Sequence, residues 1–161
     1  MMNTQGKYKI TRYYGDGSFA NPYNHTKQSE IIYIDGKRNG LTKWWYSNGK
    51  LMKQLEYQDG ELVGLVRDWY DNGQLETETN YKDGKRDGLS KTWYEDGQLE
   101  YETNWKNGEI DGLSKTWYED GQLRHESNWK NGEQNGIWKD WYEDGQLETR
   151  RYYTDGEQIS S

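Results

Sequence analysis

Cysteine is absent from this 161-residue chain, and proline and phenylalanine occur once each. Without cysteine the chain has neither a disulfide framework nor a thiolate metal site, and because that suits a reducing compartment we expect a cytoplasmic protein. Hydrophobic residues are scarce at 30%, but 9 tryptophans and 15 tyrosines are present. Each such ring buries roughly 150–250 Å². We therefore expect a folded chain with an aromatic core.

Long apolar runs are also missing, so we expect no signal peptide and no insertion into a membrane. Lysine and arginine do not cluster, and the formal net charge is −7. This balance disfavours nucleic acid and anionic lipid as direct partners. It favours another protein, in particular a basic one.

A period of 24 residues organises what is present. The stretch Gly88–Gly108 returns almost unchanged at Gly112–Gly132, and looser copies begin at Gly40, Gly64 and Gly136. Such a period is typical of repeat architectures, in which each unit buries its apolar face against its neighbours.

Three segments follow from this period: a degenerate N-terminal capping repeat with an insert (1–38), five tandem repeats (39–157) and a frayed tail (158–161). The insert lies around Ala20 to Lys27 and contains Pro22 and His25. It either caps the array or forms a recognition loop.

Each repeat contains two alternating runs separated by Asn-Gly or Asp-Gly, which predicts antiparallel β-hairpins with type I′ turns. The expected fold is all-β, an elongated array of hairpins forming one twisted meander sheet or an open solenoid. The turn glycines expected to be structural are Gly73, Gly84, Gly97, Gly108, Gly121, Gly132 and Gly145.

The turn at Asp96-Gly97 predicts a strand register. Tyr94 should lie opposite Leu99, Thr92 opposite Tyr101, and Gly88 opposite Trp105. Because Gly88 has no side chain, we expect the indole of Trp105 to lie across its backbone, so that Gly88→Val costs more than a substitution at an exposed strand position.

Two sets of side chains are candidates for partner binding. Tryptophans and tyrosines that are adjacent in sequence should form rows on opposite faces of the sheet. A polar face of the second strands carries recurring glutamates, with Lys91, Lys115 and Lys139 as expected partners of Glu102, Glu126 and Glu148. The candidate residues are Trp69, Trp93, Trp117 and Trp141, and Glu76, Glu78, Glu100, Glu102, Glu126 and Glu148.

Catalytic machinery is not indicated. The two histidines, His25 and His125, adjoin no nucleophile pattern, and the carboxylates recur in every repeat, whereas a catalytic pair is expected once. The Asp-Gly turns lack the calcium-binding repeat pattern. We expect no enzyme activity, no cofactor and no bound metal.

The pattern Gly-x-x-x-x-Trp-Tyr-x-(Asp/Asn)-Gly-(Gln/Lys)-Leu, followed by (Tyr/Trp)-x-(Asp/Asn)-Gly, resembles the MORN repeat, in particular a bacterial variant found in antitoxin or immunity components of toxin systems. Residues 39–157 carry it. In the second repeat the matching positions are Gly64, Trp69, Tyr70, Gly73, Leu75, Tyr81 and Gly84.

The resemblance implies a scaffold for protein–protein interaction, and we hypothesise an immunity protein that neutralises a basic toxin domain. Two alternatives remain. The aromatic rows could bind carbohydrate or the cell envelope, or the chain could be a structural element that self-associates through its edge strands.

Overall fold

The computed structural model describes residues 6–14 and 27–160, and these form strands and no helices. The 14 strands make one open antiparallel sheet whose order follows the chain, except that the short β3 pairs with β2. The predicted all-β hairpin array is confirmed. The strands are β1 (Lys7–Tyr13), β2 (Lys27–Ile34), β3 (Lys37–Arg38), β4 (Gly40–Trp45), β5 (Leu51–Gln58), β6 (Glu61–Trp69), β7 (Leu75–Lys82), β8 (Lys85–Trp93), β9 (Leu99–Lys106), β10 (Glu109–Trp117), β11 (Leu123–Lys130), β12 (Glu133–Trp141), β13 (Leu147–Thr154) and β14 (Glu157–Ser160).

The second turn of each repeat is the predicted type I′ turn. Asp83 has φ of 50° and Gly84 has φ of 74°, and the equivalent pairs in the other repeats have the same signs. A left-handed Asp or Asn followed by Gly is the combination that this turn requires. Each of these turns also contacts the preceding repeat, since the Gly84 amide donates to the Leu62 carbonyl at 3.0 Å.

The first turn of each repeat is different, and the type I′ prediction is wrong there. Gly97 has φ of 91°, but Asp96 does not have a positive φ. The Gly97 amide donates to the Tyr94 carbonyl at 2.9 Å, and the Tyr94 amide donates to the Gln98 carbonyl at 2.8 Å. This is a three-residue loop, a type I turn followed by a left-handed glycine.

The longer loop shifts the local register by one residue. Leu99 lies opposite Trp93 rather than Tyr94, while the predicted pairs Thr92–Tyr101 and Gly88–Trp105 are confirmed. The shift leaves Glu100 unpaired as a β-bulge between Leu99 and Tyr101.

A larger bulge recurs where each repeat meets the previous one. Between β7 and β8, Thr79 lies opposite Ser90 and Tyr81 opposite Arg86, so three residues, 87–89, face Asn80 alone. The Asn80 side-chain amide donates to the carbonyl of residue 89 at 2.9 Å. A bulge bends and twists the strand that carries it, so the sheet bends once per repeat.

Gly88 lies at the centre of this bulge, and the steric role predicted for it is corrected. Its φ is +104°, and a Cβ there would lie 3.3 Å from the Cβ of Asn80, with no atom of Trp105 among its nearest neighbours. Glycine is therefore required by the backbone conformation and by the bulge asparagine of the preceding strand.

One row of small side chains lies along the middle of the sheet and is the most buried part of it. Thr42, Thr103 and Ser127 are almost fully buried. Hydroxyl pairs join neighbouring repeats in this row, Thr79 with Ser90 and Thr103 with Ser114, each at 2.7 Å. We call the face of the sheet that carries this row the trough.

Tyrosine side chains link successive repeats at the first-turn edge. The hydroxyl of Tyr94 donates to the carbonyl of Trp117 in the next repeat at 2.7 Å. Tyr46, Tyr70 and Tyr118 make the same bond to Trp69, Trp93 and Trp141 at 2.6 to 2.8 Å. Tyr14 donates in the same way to Trp45, so the N-terminal hairpin is linked as the later ones are.

We expect Tyr94→Phe to lower the free energy of unfolding by about 1 kcal/mol, because it removes a partly buried hydrogen bond and leaves the Trp117 carbonyl without this donor. Tyr142 is the matched control, since the residue is 51% exposed and no described carbonyl accepts from its hydroxyl. Tyr142→Phe should change stability by less than about 0.5 kcal/mol. Urea denaturation followed by tryptophan fluorescence measures both, and equal losses would contradict the role assigned to Tyr94.

The two ends of the chain differ from expectation in one respect. Residues 158–160, predicted as a frayed tail, belong to β14, where Gln158 lies opposite Tyr153. The predicted insert falls almost wholly outside the described residues. Its last residue, Lys27, begins β2 and forms an ion pair with Glu30 at 2.6 Å.

Candidate binding surfaces

The face opposite the trough carries a ladder of ion pairs. Glu78 pairs with Arg67 at 2.6 Å and Glu102 with Lys91 at 3.0 Å. Glu126 lies 3.2 Å from Lys115 and 3.6 Å from Lys139. Two of the predicted lysine partners are confirmed by these contacts. These charges are satisfied within the sheet, which leaves little net attraction for a partner.

The third predicted pair, Lys139 with Glu148, is wrong. Lys139 lies opposite Arg150 in the hairpin and instead reaches the preceding strand and Glu126. Glu148 lies between the paired residues Leu147 and Thr149, in the bulge that follows the first turn. Glu76 and Glu100 occupy the same bulge in their own repeats. The six candidate glutamates therefore do not share one face.

The candidate tryptophans lie at the ends of their strands, half-buried, with their carbonyls engaged by the tyrosine hydroxyls. The Lys139 ammonium lies 5.8 Å from the centre of the Trp141 ring, on the ion-pair face. The Trp141 ring therefore stands beside the charge ladder.

The bulge glutamates and the first turns together form a surface with a net negative charge that we call the tyrosine edge. It comprises residues 46–52, 70–76, 94–100, 118–124 and 142–148, with ten carboxylates and two cations, Lys50 and Arg124. The whole chain has 28 acidic and 21 basic residues, so 18 and 19 remain elsewhere. The net negative charge of the protein is thus concentrated on this edge.

Crevices separate the loops of the tyrosine edge. One, of about 420 Å³, is lined by Tyr70, Tyr94, Glu95, Asp96 and Glu119. Another, of about 600 Å³, lies in the next repeat and is lined by Tyr94, Tyr118, Glu119, Asp120, Arg124 and Glu143. Each crevice thus has a phenol wall and carboxylates at its rim.

The tyrosine pKa values reflect this surrounding charge. Burial raises the pKa of Tyr94, and the carboxylates of Glu100 and Glu119 raise it further. Burial likewise raises the pKa of Tyr70, with added contributions from Glu76, Glu100 and Glu95. The phenols stay neutral hydrogen-bond donors, and the edge has a negative potential.

Comparison with known protein families matches a MORN repeat variant model five times along the chain. The matches cover residues 38–59, 62–83, 86–107, 110–131 and 134–155. The chain belongs to the MORN repeat variant family. Each match begins near a type I′ turn and contains the first turn, so the family unit is one hairpin of the sheet. No curated protein matches the chain.

Membership in the MORN repeat variant family makes the chain a repeat scaffold of a kind usually used for protein or membrane-lipid interaction. No helix of the described residues is long and apolar enough to cross a bilayer. The same residues contain no group of three or more histidine, aspartate or glutamate side chains placed to hold a metal ion.

The acidic turn residues of the tyrosine edge were missed as candidates by the sequence analysis. Their positions next to the turn glycines indicate only a role in the turn; they are Glu95, Asp96, Glu119, Asp120 and Glu143. Asp96 does stabilise its turn, since its carboxylate accepts from the Gln98 amide at 2.9 Å. They could have been identified from the summed charge of the first turns, because a regular hairpin array places all first turns on one edge of the sheet.

Proposed function

We propose that this MORN repeat chain is a non-enzymatic scaffold that binds a basic protein along its tyrosine edge. The observation that carries the proposal is the concentration of charge there, ten carboxylates against two cations. Electrostatic complementarity of this kind accelerates association and selects partners by charge. The ion-pair face offers no comparable net charge.

The spacing of the crevices favours an extended partner segment. One repeat advances the edge by two strands, which is about 9.6 Å at 4.8 Å per strand. An extended chain covers about that distance in three residues at roughly 3.3 Å each. A segment with lysine or arginine at every third residue would therefore place one cation at each crevice.

The partner we propose is a toxin domain that the chain neutralises. This finer part of the proposal is supported by the resemblance of the repeats to those of antitoxin and immunity components, and by the acidic edge, which would complement a basic toxin surface. Binding along several repeats would cover a large surface of such a domain and block its substrate.

The test has two arms. Partners captured from the native cells are cross-linked with a carboxylate–amine coupling reagent, and we expect the cross-links to fall on Glu95, Glu119 and Glu143. A toxin encoded beside the gene is then expressed with and without the chain, and growth should return only with it. Cross-links confined to the ion-pair face would overturn the proposed surface, and absence of growth rescue by a tightly bound chain would overturn neutralisation.

A further inference from the structure

The trough changes character in the fifth repeat. Along it, the third repeat has Ser90, Thr92 and Tyr101, and the fourth continues with Ser114 and Thr116. Further along, His125 of the fourth repeat takes the place of Tyr101, and the fifth repeat has Trp138, Asp140, Thr149 and Arg151. The third repeat forms the same hairpin without these larger and charged side chains, so the fold does not require them.

Asp140 organises this group, which we call the fifth-repeat cluster. Its carboxylate accepts hydrogen bonds from Thr149 Oγ1 at 2.6 Å, from Trp138 Nε1 at 3.0 Å and from His125 Nδ1 at 2.7 Å. Arg151 Nη1 lies 3.7 Å away. Partial burial raises the pKa of Asp140, but these hydrogen bonds offset it, and the pKa lies below its ordinary value.

The ionised carboxylate sets the tautomer of His125. Because Nδ1 donates to Asp140, the lone pair of the neutral ring is on Nε2. Nε2 makes no hydrogen bond with any described residue and is not among the buried unpartnered atoms of that part of the chain. In the neutral ring, Nε2 is therefore an accessible hydrogen-bond acceptor.

A group of aromatic rings lies on one side of this acceptor and is centred on Trp138. The Trp138 ring lies 4.2 Å from the imidazole in an edge-on arrangement, 6.2 Å from the Trp129 ring and 5.8 Å from the Tyr153 ring, all between centroids. All four side chains are half-buried, so part of each stays accessible. The side chain of Arg151 is 37% exposed, and its guanidinium adds donors beside them.

We infer that the fifth-repeat cluster is a binding site for a neutral sugar ring. The indole faces offer a surface for the C–H face of a pyranose, His125 Nε2 accepts from a ring hydroxyl, and Arg151 donates to another. Aromatic rings also attract organic cations. Such a cation is disfavoured here, because the carboxylate of the cluster already accepts from three donors and the positive guanidinium of Arg151 stands beside the rings. The site is separate from the tyrosine edge.

The test is titration of the full chain with cellotetraose and with tetra-N-acetylchitotetraose, followed by NMR of the indole N–H groups. We expect one of them to bind with a Kd of about 1 mM or tighter and to shift the signals of Trp138 and Trp129 but not those of Trp69 or Trp93. Two variants introduce the residues of the third repeat, Trp138→Ser and His125→Tyr. Each should weaken binding at least tenfold while the chain stays folded.

A matched pair of variants distinguishes loss of a specific sugar site from a general effect of removing a carboxylate from the trough. Asp68 of the second repeat occupies the position equivalent to Asp140. It accepts a hydrogen bond from Thr77, as Asp140 does from Thr149, and it forms an ion pair with Lys53, which takes the place of His125. Asp140→Thr should weaken sugar binding at least tenfold, and Asp68→Thr should leave it unchanged. Equal losses in both, shifts at other indoles, no binding of either sugar, or binding of tetramethylammonium in their place would each overturn the proposal.

Discussion

Replacing Gly88 with valine should lower the free energy of unfolding by about 3 kcal/mol, one of the largest effects available to a single substitution in this sheet. A non-glycine residue at a strongly positive φ costs about 1–3 kcal/mol, and Gly88 has φ of +104°. The new Cβ would also press on Asn80, whose hydrogen bond to the carbonyl of residue 89 closes the bulge. Losing that bond adds about 1 kcal/mol.

Gly84 provides the control for this substitution. It also has a positive φ, +74°, but no atom lies within 4 Å of the position of its Cβ, and asparagine tolerates the left-handed region. We expect Gly84→Asn to cost less than about 1 kcal/mol. Guanidinium denaturation followed by circular dichroism compares the two variants. Similar losses would mean that the bulge has no special role.

The loss at Gly88 should also be local. Each repeat contacts only its neighbours, so the bulge between β7 and β8 joins the second repeat to the third. Hydrogen exchange of the Gly88→Val variant should therefore accelerate first in β7 and β8, while amides of β11 and β12 keep more of their protection.

The hairpins were predictable because their signals are local. A type I′ turn needs two left-handed residues in succession, and Asp83-Gly84 supplies them within one dipeptide. Asp96-Gly97 is the same dipeptide but lies in a longer loop, because Tyr94 pairs with Gln98. The dipeptide is compatible with both loops, so the register beside Leu99 could not be predicted from it.

The bulge at Gly88 has a signal in the sequence, the spacing of the turn glycines. Turn glycines are 11 residues apart from Gly97 to Gly108 and 13 apart from Gly108 to Gly121. In a meander of equal strands these intervals should agree. The two additional residues belong to the bulge, where three residues of one strand face a single asparagine of the other.

The candidate glutamates fall into two groups with different neighbours, and the sequence alone does not reveal those neighbours. Glu102 and Glu100 are two residues apart and should share a face by alternation, yet Glu102 pairs with Lys91 while Glu100 lines a crevice with Tyr94. The one-residue bulge beside the first turn separates them. A single shift in register therefore moves one carboxylate from a neutral ladder to an uncompensated acidic edge.

Neutralising four carboxylates of the tyrosine edge should weaken binding of a basic partner about 30- to 100-fold. The variant is Glu95→Ser, Asp96→Asn, Glu119→Ser and Asp120→Asn, which copies the Ser47-Asn48 turn of the first repeat. Asn48 accepts from the Lys50 amide as Asp96 does from Gln98, so the turn is kept and only charge is removed. Four exposed charge contacts at about 0.5–0.7 kcal/mol each give this loss.

The control removes the same charge from the opposite edge of the sheet, by Glu61→Gln, Glu109→Gln, Glu133→Gln and Glu157→Gln. Both variants have the same net charge, so a general attraction would weaken equally in both. Binding of the peptide (Lys-Ser-Ser)₄ is measured by calorimetry at low and at physiological salt. We expect strong, salt-sensitive binding by the unchanged chain and by the control, and weaker, less salt-sensitive binding by the first variant, because the edge then has six carboxylates rather than ten on which screening can act. Equal weakening of the two variants would show that the peptide responds to total charge, and the tyrosine edge would then not be the binding surface.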